Sequence, residues 1–412
     1  MTHLLITGLC LQGNKGGPAL ALSLMGQLRR QLGEVEFTLS VPAGTAFAHE
    51  QRWSQIYGVE VVESFSIKDI LPPFCLFPFP TRIKRFLHWW RTLRRADAIV
   101  EMSAISYVGP PSLPERTSLL GGRFHYFLAA WFARRPFLAW TQSLGPFTGK
   151  WAPRLARLDL ARQPIVFCRG ENSLQNVRAL LPNKEARAYP DVATGLPFDH
   201  ASGRDLVERL EGLDQEGRLV SISPSAVLYR KLQRGERNLH VEQMAELCKW
   251  LAARGYRVLL LPHTYHPDKH APETCDYGVC LAIMAAVGQT RQIVVLHEDL
   301  SPVELKSIIS ISALHIGGRY HSVVAALSSG VPCISLAWHP KYRDIMAMYG
   351  MEEFVCDATD ESAAADIQAR FLRLTQEQDA CRERLSRRQA AMLAQVEENA
   401  RLFTKCLREM MQ

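Results

Sequence analysis

The chain has 412 residues, of which 47% are hydrophobic and 22% are charged. This composition excludes a chain that is disordered or collagen-like throughout, and the length predicts two domains. The formal net charge of +7 suits a protein that binds anions. Because no nucleic-acid-binding motif accompanies this charge, we predict no nucleic-acid partner. The cysteines form no CxxC pair and no zinc-ligand spacing, so we predict no metal site and no cofactor.

Short apolar runs alternate with amphipathic helical stretches along the first half of the chain. In chain order, the pattern predicts strand 3–7, a glycine-rich turn, helix 19–32, strands 37–41, 98–102, 137–141 and 165–169, and helix 173–181. Ser173 is the expected N-cap of the last of these helices. A strand, a helix and a second strand in this order form a βαβ unit, which predicts a parallel sheet.

A polar interval, residues 195–217, separates this half from a second half with the same alternation. We predict strands 219–223, 257–262, 293–296, 313–316 and 332–336, helices 241–254, 301–311 and 320–329, and a long helical region at 361–410. The predicted fold class is α/β, with two Rossmann-like domains at residues 1–200 and 201–412.

The segment 314–336, LHIGGRYHSVVAALSSGVPCISL, carries the clearest chemical pattern. Here a strand ends in two glycines, and Arg319 and His321 follow at the start of a helix. A helix N-terminus stabilises anions, and a guanidinium group binds carboxylates and phosphates through paired hydrogen bonds. A histidine transfers protons near neutral pH. We therefore expect an anion site with a proton donor, rather than a plain turn.

The residues 317–351, GGRYHSVVAALSSGVPCISLAWHPKYRDIMAMYGM, resemble the C-terminal signature of the polysaccharide pyruvyl transferase family. That signature has an Arg-x-His, a helix of small residues, a Gly-x-Pro, a strand and a lysine, here Lys341. Further segments resemble the family in the same order: GLCLQGNKGGPALAL, QSLGPF at 142–147, FCRGENSLQNV with Arg169 and Ser173, YPDVA and LLLLPHTYHPD. This collinearity covers about residues 3–355.

The resemblance implies two facing Rossmann-like domains, similar to the two-domain glycosyltransferase fold known as GT-B. It implies transfer of the enolpyruvyl group of phosphoenolpyruvate to a saccharide or lipid-linked saccharide, which yields a pyruvate ketal and phosphate. The donor would bind on the C-terminal domain and the acceptor on the N-terminal domain. The resemblance assigns Arg169, Arg319 and His321 to the donor, and we add Tyr320 and Lys341 as substrate-binding residues. Our expected general acid is His321, with Arg319 stabilising charge beside it.

The loop after the first strand departs from the family pattern. The family has Asn-x-Gly-Asp where this chain has Asn14-Lys-Gly16-Gly17, so a carboxylate that would orient a ligand or the loop is missing. Asn14, Gly16 and Gly17 are either part of a substrate-binding loop or a plain strand-to-helix turn. His263, with Asp276 beyond it, either lines a pocket or belongs to a surface loop, and we favour the loop.

Residues 70–95 combine prolines, aromatic residues and basic residues, including Trp89 and Trp90. Such a segment is typical of peripheral contact with a membrane. The alternative, which we favour, is a lid or a helix packed on the first domain. The N-terminus has no signal-peptide pattern, and no apolar run reaches the roughly 20 residues that span a bilayer. We therefore expect a cytoplasmic protein, with the inner face of the membrane as its site of peripheral contact.

Two other functions remain open from the residues alone. A nucleotide-sugar-dependent glycosyltransferase would share the two-domain fold, but it would more often place an acidic residue against a ribose. A non-catalytic glycan-binding protein would have no use for a proton donor, so His321 together with Arg169, Arg319 and Lys341 argues against it.

Overall fold

The computed structural model describes residues 1–41, 47–65, 79–108, 122–210, 218–288, 290–360 and 363–412. By their internal contacts these residues form two compact units. The first unit consists of Met1–Gln12, Leu20–Val192 and Gln395–Gln412, and the second consists of Gly13–Ala19 and Ala193–Ala394. Residues 13–19 therefore belong to the second unit, although the residues on both sides of them belong to the first. The C-terminal 18 residues belong to the first unit, although the residues before them belong to the second.

The first unit is built on a parallel sheet of five strands. Across the sheet the strands are Glu60–Glu63, Val35–Val41, Thr2–Thr7, Ala98–Glu101 and Phe137–Ala139. Two short strand pairs accompany it, Val166–Arg169 with Ala186–Tyr189 and Ile105–Ser106 with Ser143–Leu144. Its helices are Phe47–Tyr57, Phe79–Arg95, Arg123–Ala133, Ala152–Leu160 and Glu171–Leu180. A further helix, Gly16–Leu32, begins in residues of the second unit.

The second unit contains a parallel sheet of six strands. Across it lie Ile293–Val295, Tyr256–Leu260, Arg218–Ser223, Leu314–Gly317, Cys333–Ala337 and Val355–Asp357. Numbered within each sheet, the strand orders are 3-2-1-4-5 in the first unit and 3-2-1-4-5-6 in the second. These are the orders of the doubly wound fold, in which ligands bind beyond the carboxyl ends of the strands.

Most helices of the second unit lie between successive strands of its sheet, while the first precedes the sheet and the last follows it. In chain order the helices are His200–Glu208, Ala226–Lys231, Leu239–Ala252, Asp276–Val287, Pro302–Ser310, Tyr320–Ser328, Lys341–Met348 and Ala363–Gln376. Two short antiparallel pairs join Gln233–Arg234 to Arg237–Asn238 and Gly13–Asn14 to Thr264–Tyr265. Single 3₁₀ turns form at Val192–Gly195 and Glu352–Phe354. In the part of the chain that the structure describes, no helix is long and apolar enough to cross a membrane.

The long C-terminal helical region consists of two helices, Ala363–Gln376 and Gln378–Met411. The end of the second helix packs into the first unit. Phe403 is fully buried, with its ring 4.6 Å from that of Trp140 and 5.6 Å from that of Phe167. Because the ring of Phe403 completes this aromatic cluster, the helix end is part of the core of the first unit.

Ser173 is not the N-cap that the sequence predicts. The helix Glu171–Leu180 begins two residues earlier, after Gly170, which has a φ of 81°. Glycine adopts this conformation without strain and so allows the sharp change from strand to helix. The Ser173 hydroxyl is buried and accepts a hydrogen bond from the Leu144 N–H at 3.2 Å, so it connects the helix to a neighbouring strand.

Two histidines are fully enclosed in the second unit, and burial lowers their pKa values. The His240 Nε2 accepts a hydrogen bond from the Ser225 N–H at 3.2 Å. His315 lies between the hydroxyls of Ser221 and Ser322, at 2.9 Å and 3.0 Å. Burial lowers the pKa of His240 to about 4 and that of His315 to about 3. For His240, the nearby Asp276 carboxylate opposes this shift and the Arg319 guanidinium adds to it.

We predict that His240 weakens the fold as the solution is acidified. Between pH 6.5 and 4 the unfolded chain protonates this side chain and the folded chain does not, so stability falls as the pH decreases through this window. In His240→Gln the amide oxygen still accepts the Ser225 hydrogen bond but does not titrate. The wild type should lose up to about 1.4 kcal/mol more per pH unit than the variant.

Urea unfolding at pH 7, 6 and 5 measures this difference. Because both proteins keep every other titrating group, the difference between their stabilities isolates His240. Parallel losses of stability in wild type and variant would contradict the prediction.

Candidate functional site

Most of the predicted site residues lie in the second unit. They come from the loop after the first strand and from the segments that follow three other strands: Asn14, Gly16, Gly17, His263, Arg319, Tyr320, His321 and Lys341. Arg169 lies in the first unit, at the end of strand Val166–Arg169.

A tight turn places Arg319 and His321 at the start of a helix. The strand Leu314–Gly317 ends at the first glycine, and Arg319 is the N-cap of Tyr320–Ser328. A Cβ on Gly317 would approach the Cγ2 of Val323 to 2.6 Å, so a larger residue would force the helix away from the strand. The turn therefore brings the Arg319 and His321 side chains to the carboxyl end of a central strand.

A buried carboxylate holds the Arg319 guanidinium in one orientation. The Arg319 Nε donates to Asp276 Oδ2 at 2.7 Å, and Nη2 donates to Oδ1 at 2.5 Å. Asp276 is fully buried and also accepts the Ala226 N–H at 2.8 Å. Burial acts to lower the pKa of Arg319, but the Asp276 carboxylate outweighs it and the pKa is raised. Arg319 is thus a fixed cation.

His263 is buried and does not belong to a surface loop. Its side chain is buried, with Nδ1 3.1 Å from the Ser223 hydroxyl. Burial lowers its pKa to about 4, although the Asp276 carboxylate opposes the shift. The surface-loop interpretation is therefore wrong for both His263 and Asp276. The signal available in the sequence was the position of His263 directly after an apolar strand, where a doubly wound fold binds ligands.

The glycine loop after the first strand contacts His321. The Asn14 Oδ1 accepts the Gly16 N–H at 3.1 Å, and the Lys15 N–H donates to the His263 carbonyl oxygen at 2.8 Å. A Cβ on Gly16 would overlap the imidazole of His321, with Cε1 only 2.6 Å away. Gly16 and Gly17 form the first helical turn, and Asn14 is exposed. The missing side chain at position 16 allows this backbone to lie against the His321 ring.

Two buried lysines, Lys15 and Lys306, lie near His263 and His321. Lys15 forms an ion pair with Asp299 at 2.5 Å. Lys306 donates to the carbonyl oxygens of Thr194 and Leu196, at 3.2 Å and 2.8 Å. Burial lowers the pKa of Lys306 to about 7.

Both lysines line a cavity of about 10 Å³ together with His263 and His321. This is about the volume that one water molecule requires. Sequence reasoning assigned no role to Lys15 or Lys306, because nothing in their local patterns indicated burial.

Tyr320 and Lys341 belong to an aromatic cage. The Lys341 Nζ lies 5.1 Å from the ring centroids of Tyr320 and Trp338, and 5.7 Å from that of Tyr342. The Tyr342 hydroxyl donates to the Gly318 carbonyl oxygen at 3.0 Å. The cage therefore joins the predicted lysine to the turn that precedes Arg319, and cation–π attraction holds its ammonium group among the rings.

Arg169 is buried and fixed by protein groups. Its Nε donates to the Ser143 hydroxyl at 3.0 Å, Nη1 to Asp191 at 2.6 Å and Nη2 to the Ala104 carbonyl oxygen at 2.6 Å. Asp191 belongs to the YPDVA segment, so two of the motifs that resemble the family meet in one ion pair.

Similarity to solved structures identifies the fold. The chain matches a UDP-GlcNAc 2-epimerase from Neisseria meningitidis with a TM-score of 0.62 and 11% identity, over 99% of this chain and 100% of that one. It matches a UGT transferase from Siraitia grosvenorii with a TM-score of 0.57 and 12% identity, over all of both chains. The predicted α/β fold with two Rossmann-like domains, similar to that of GT-B glycosyltransferases, is confirmed.

Similarity in sequence identifies the family. Residues 54–340 match the family model for polysaccharide pyruvyl transferase. The chain is also 21% identical over 284 residues to the amylovoran biosynthesis protein AmsJ of Erwinia amylovora, covering 64% of this chain and 62% of that protein. The matched range contains Arg169, His263, Arg319 and His321 and ends one residue before Lys341. The chain belongs to the polysaccharide pyruvyl transferase family.

Proposed function

We propose that this protein transfers the enolpyruvyl group of phosphoenolpyruvate to a saccharide, giving a pyruvate ketal and phosphate. The observation that carries the proposal is the fixed Arg319 cation, clamped by Asp276 at the start of the helix that also bears His321. Family membership supplies the reaction class, and these residue types suit a small donor with two anionic groups.

Arg319 would bind the donor through the part of its guanidinium that Asp276 does not occupy. A guanidinium group has two edges that can each bind an anion through paired N–H groups. Asp276 takes the edge formed by Nε and Nη2. The edge formed by Nη1 and Nη2 would bind the carboxylate or phosphate of phosphoenolpyruvate, next to the N–H groups of the helix start.

Lys341 would add positive charge for the second anionic group, while the assignment of Arg169 to the donor comes from the family resemblance and stays a prediction. The Lys341 ammonium lies in its aromatic cage, so this charge is positioned before substrate arrives. Tyr320 forms one wall of that cage. Cations fixed in advance stabilise developing charge without reorganising during the reaction.

The reaction requires one proton at carbon and two new carbon–oxygen bonds. His321 would protonate the methylene carbon while a first sugar hydroxyl adds to the adjacent carbon. A second hydroxyl then adds at the same carbon as the bond to the phosphate oxygen breaks, and phosphate leaves. The two hydroxyl protons balance the proton given to carbon and the one taken up by phosphate. Gly16 and His263 would keep the imidazole in position.

The two alternative functions make different binding predictions. A nucleotide-sugar glycosyltransferase should bind a uridine or adenosine diphosphate sugar rather than phosphoenolpyruvate. A glycan-binding protein should bind saccharide with no dependence on His321. The clamped arginine and the adjacent histidine favour the pyruvyl transferase over both.

We predict that Arg319 and His321 affect different steps. In Arg319→Ala, phosphoenolpyruvate affinity should fall by tenfold or more, since a charged hydrogen bond contributes about 1.5–3 kcal/mol. In His321→Gln, binding should change little while kcat falls about 10²- to 10⁴-fold, the usual contribution of general acid catalysis. Isothermal titration calorimetry measures the first effect, and phosphate release with a saccharide acceptor measures the second.

His200→Gln is the matched control, because it removes an exposed imidazole of the same unit without touching the site. It should leave both affinity and kcat unchanged. A folded wild type that binds a nucleotide sugar but not phosphoenolpyruvate, with or without acceptor, would contradict the proposal. So would a fully active His321→Gln protein.

We also predict that Gly16→Ala lowers kcat by displacing the His321 ring, which a Cβ at position 16 would overlap. Gly26→Ala is the control on the same helix, because a Cβ there meets nothing within 4 Å. That variant should raise the free energy of unfolding by about 0.5–1 kcal/mol and keep full activity. Urea unfolding and phosphate release on both variants test this, and equal kcat values would count against contact between the loop and His321.

A further inference from the structure

An apolar surface is exposed on two helices of the first unit. On helix Phe79–Arg95, Phe86 is 36% exposed and Leu87 41%. On helix Arg123–Ala133, Trp131 is 59% exposed and Phe132 68%. Large aromatic side chains exposed together are unusual on a protein that meets only water, so this surface indicates an interaction.

Part of this surface lies in the segment 70–95 that the sequence associated with membrane contact, but Trp89 is not exposed on it. Trp89 is 2% exposed: its ring stacks on His125 with 5.4 Å between centroids, and its indole N–H donates to the Ser40 hydroxyl at 3.1 Å. The interpretation of residues 79–95 as a helix packed on the first domain is therefore correct for Trp89. Residues 70–78 of the same segment lie outside the described part of the chain.

An apolar cavity of about 470 Å³ opens at this surface. Its walls include Phe65, Phe86, Trp90, Leu128 and Phe132. The rings of Phe65 and Phe86 are 5.0 Å apart, and those of Phe86 and Trp90 are 6.0 Å apart. Side chains of this kind would accept a hydrocarbon chain and offer few partners to a polar ligand.

Positive charge surrounds the apolar residues. Neither helix contains an aspartate or a glutamate. The basic residues of the first helix are Arg82, Lys84, Arg85, Arg91, Arg94 and Arg95. Lys84, Arg91, Arg94 and Arg95 are exposed, as is Arg134 after the second helix. Because no carboxylate on these helices balances the positive charge of the basic side chains, the helices attract an extended anionic surface.

We propose that these two helices form a docking face for an anionic phospholipid bilayer. Phe86, Leu87, Trp131 and Phe132 enter the interfacial region, the lysine and arginines bind lipid phosphates, and the cavity takes a hydrocarbon chain. Aromatic rings beside cations are what an interfacial helix requires, since apolar burial and attraction to anionic lipids act together. The charge of the face selects a bilayer over a neutral protein partner. This binding requires neither donor nor acceptor, so it is independent of the proposed reaction.

Vesicle co-sedimentation of the full chain tests the docking face. Vesicles of phosphatidylcholine with phosphatidylglycerol should pellet the wild type at low salt, and pure phosphatidylcholine vesicles should pellet much less. Trp131→Ser with Phe132→Ser, and separately Lys84→Glu with Arg91→Glu, should each reduce the bound fraction about tenfold or more. The blue shift of tryptophan emission on binding should be smaller in the first variant.

Matched controls distinguish binding through this face from nonspecific adsorption and from an effect of net charge. Trp151→Ser removes a tryptophan that is 45% exposed elsewhere in the same unit. Arg388→Glu with Arg401→Glu lowers the net charge as much as the charge-reversal variant does, but on exposed positions of another helix. Both controls should bind like the wild type. Failure of the wild type to pellet with anionic vesicles at low salt, or equal losses in controls and face variants, would overturn the proposal.

Discussion

The second unit is organised around the buried ion pair between Arg319 and Asp276. Asp276 is the first residue of one helix, accepts the backbone N–H of another at Ala226, and binds both donors of one Arg319 edge. Removing one member of a buried pair typically costs about 3–5 kcal/mol, because the other charge is left uncompensated. The same pair fixes the cation that would bind the donor in the proposed reaction, so one contact would serve both the stability of this unit and substrate recognition.

Close backbone approach is the second constraint on the site. Gly317 lets the helix start lie against its own strand, and Gly16 lets a loop from the beginning of the chain lie against His321. Both contacts exclude even a methyl group. Since the imidazole of His321 is enclosed by backbone on one side, its position is set by the fold rather than by its own rotamer preference.

The sequence predicted those features of the fold and the site that depend on local residue patterns. Buried strands, amphipathic helices and the Gly-Gly-Arg-x-His turn all have short-range signals, and the family resemblance added Arg169 and Lys341. Contacts between distant residues have no such signal. The pairing of Arg319 with Asp276 spans 43 residues, and the contact of Lys306 with Thr194 spans 112. Ser173 was misassigned because a serine near a helix start suggests a cap, whereas Gly170 supplies the actual turn.

The sequence associated residues 70–95 with membrane contact, but it did not show which of their side chains are exposed. The WW pair resembles an interfacial anchor, but helical periodicity turns Trp89 into the core and leaves Phe86 and Leu87 outside. No basic residue immediately precedes Trp131 and Phe132 in the sequence. Their helix forms one surface with Phe79–Arg95 only because the two helices pack side by side.

The charges of the second unit favour a polyanionic donor. Arg319 and Lys15 have carboxylate partners in Asp276 and Asp299, whereas Lys306 is held by neutral carbonyl groups. Burial keeps His263 neutral near neutral pH, so the site does not accumulate further positive charge while it is empty. A dianion entering beside Arg319 would meet a fixed cation in a buried environment, where attraction between opposite charges is stronger than in water.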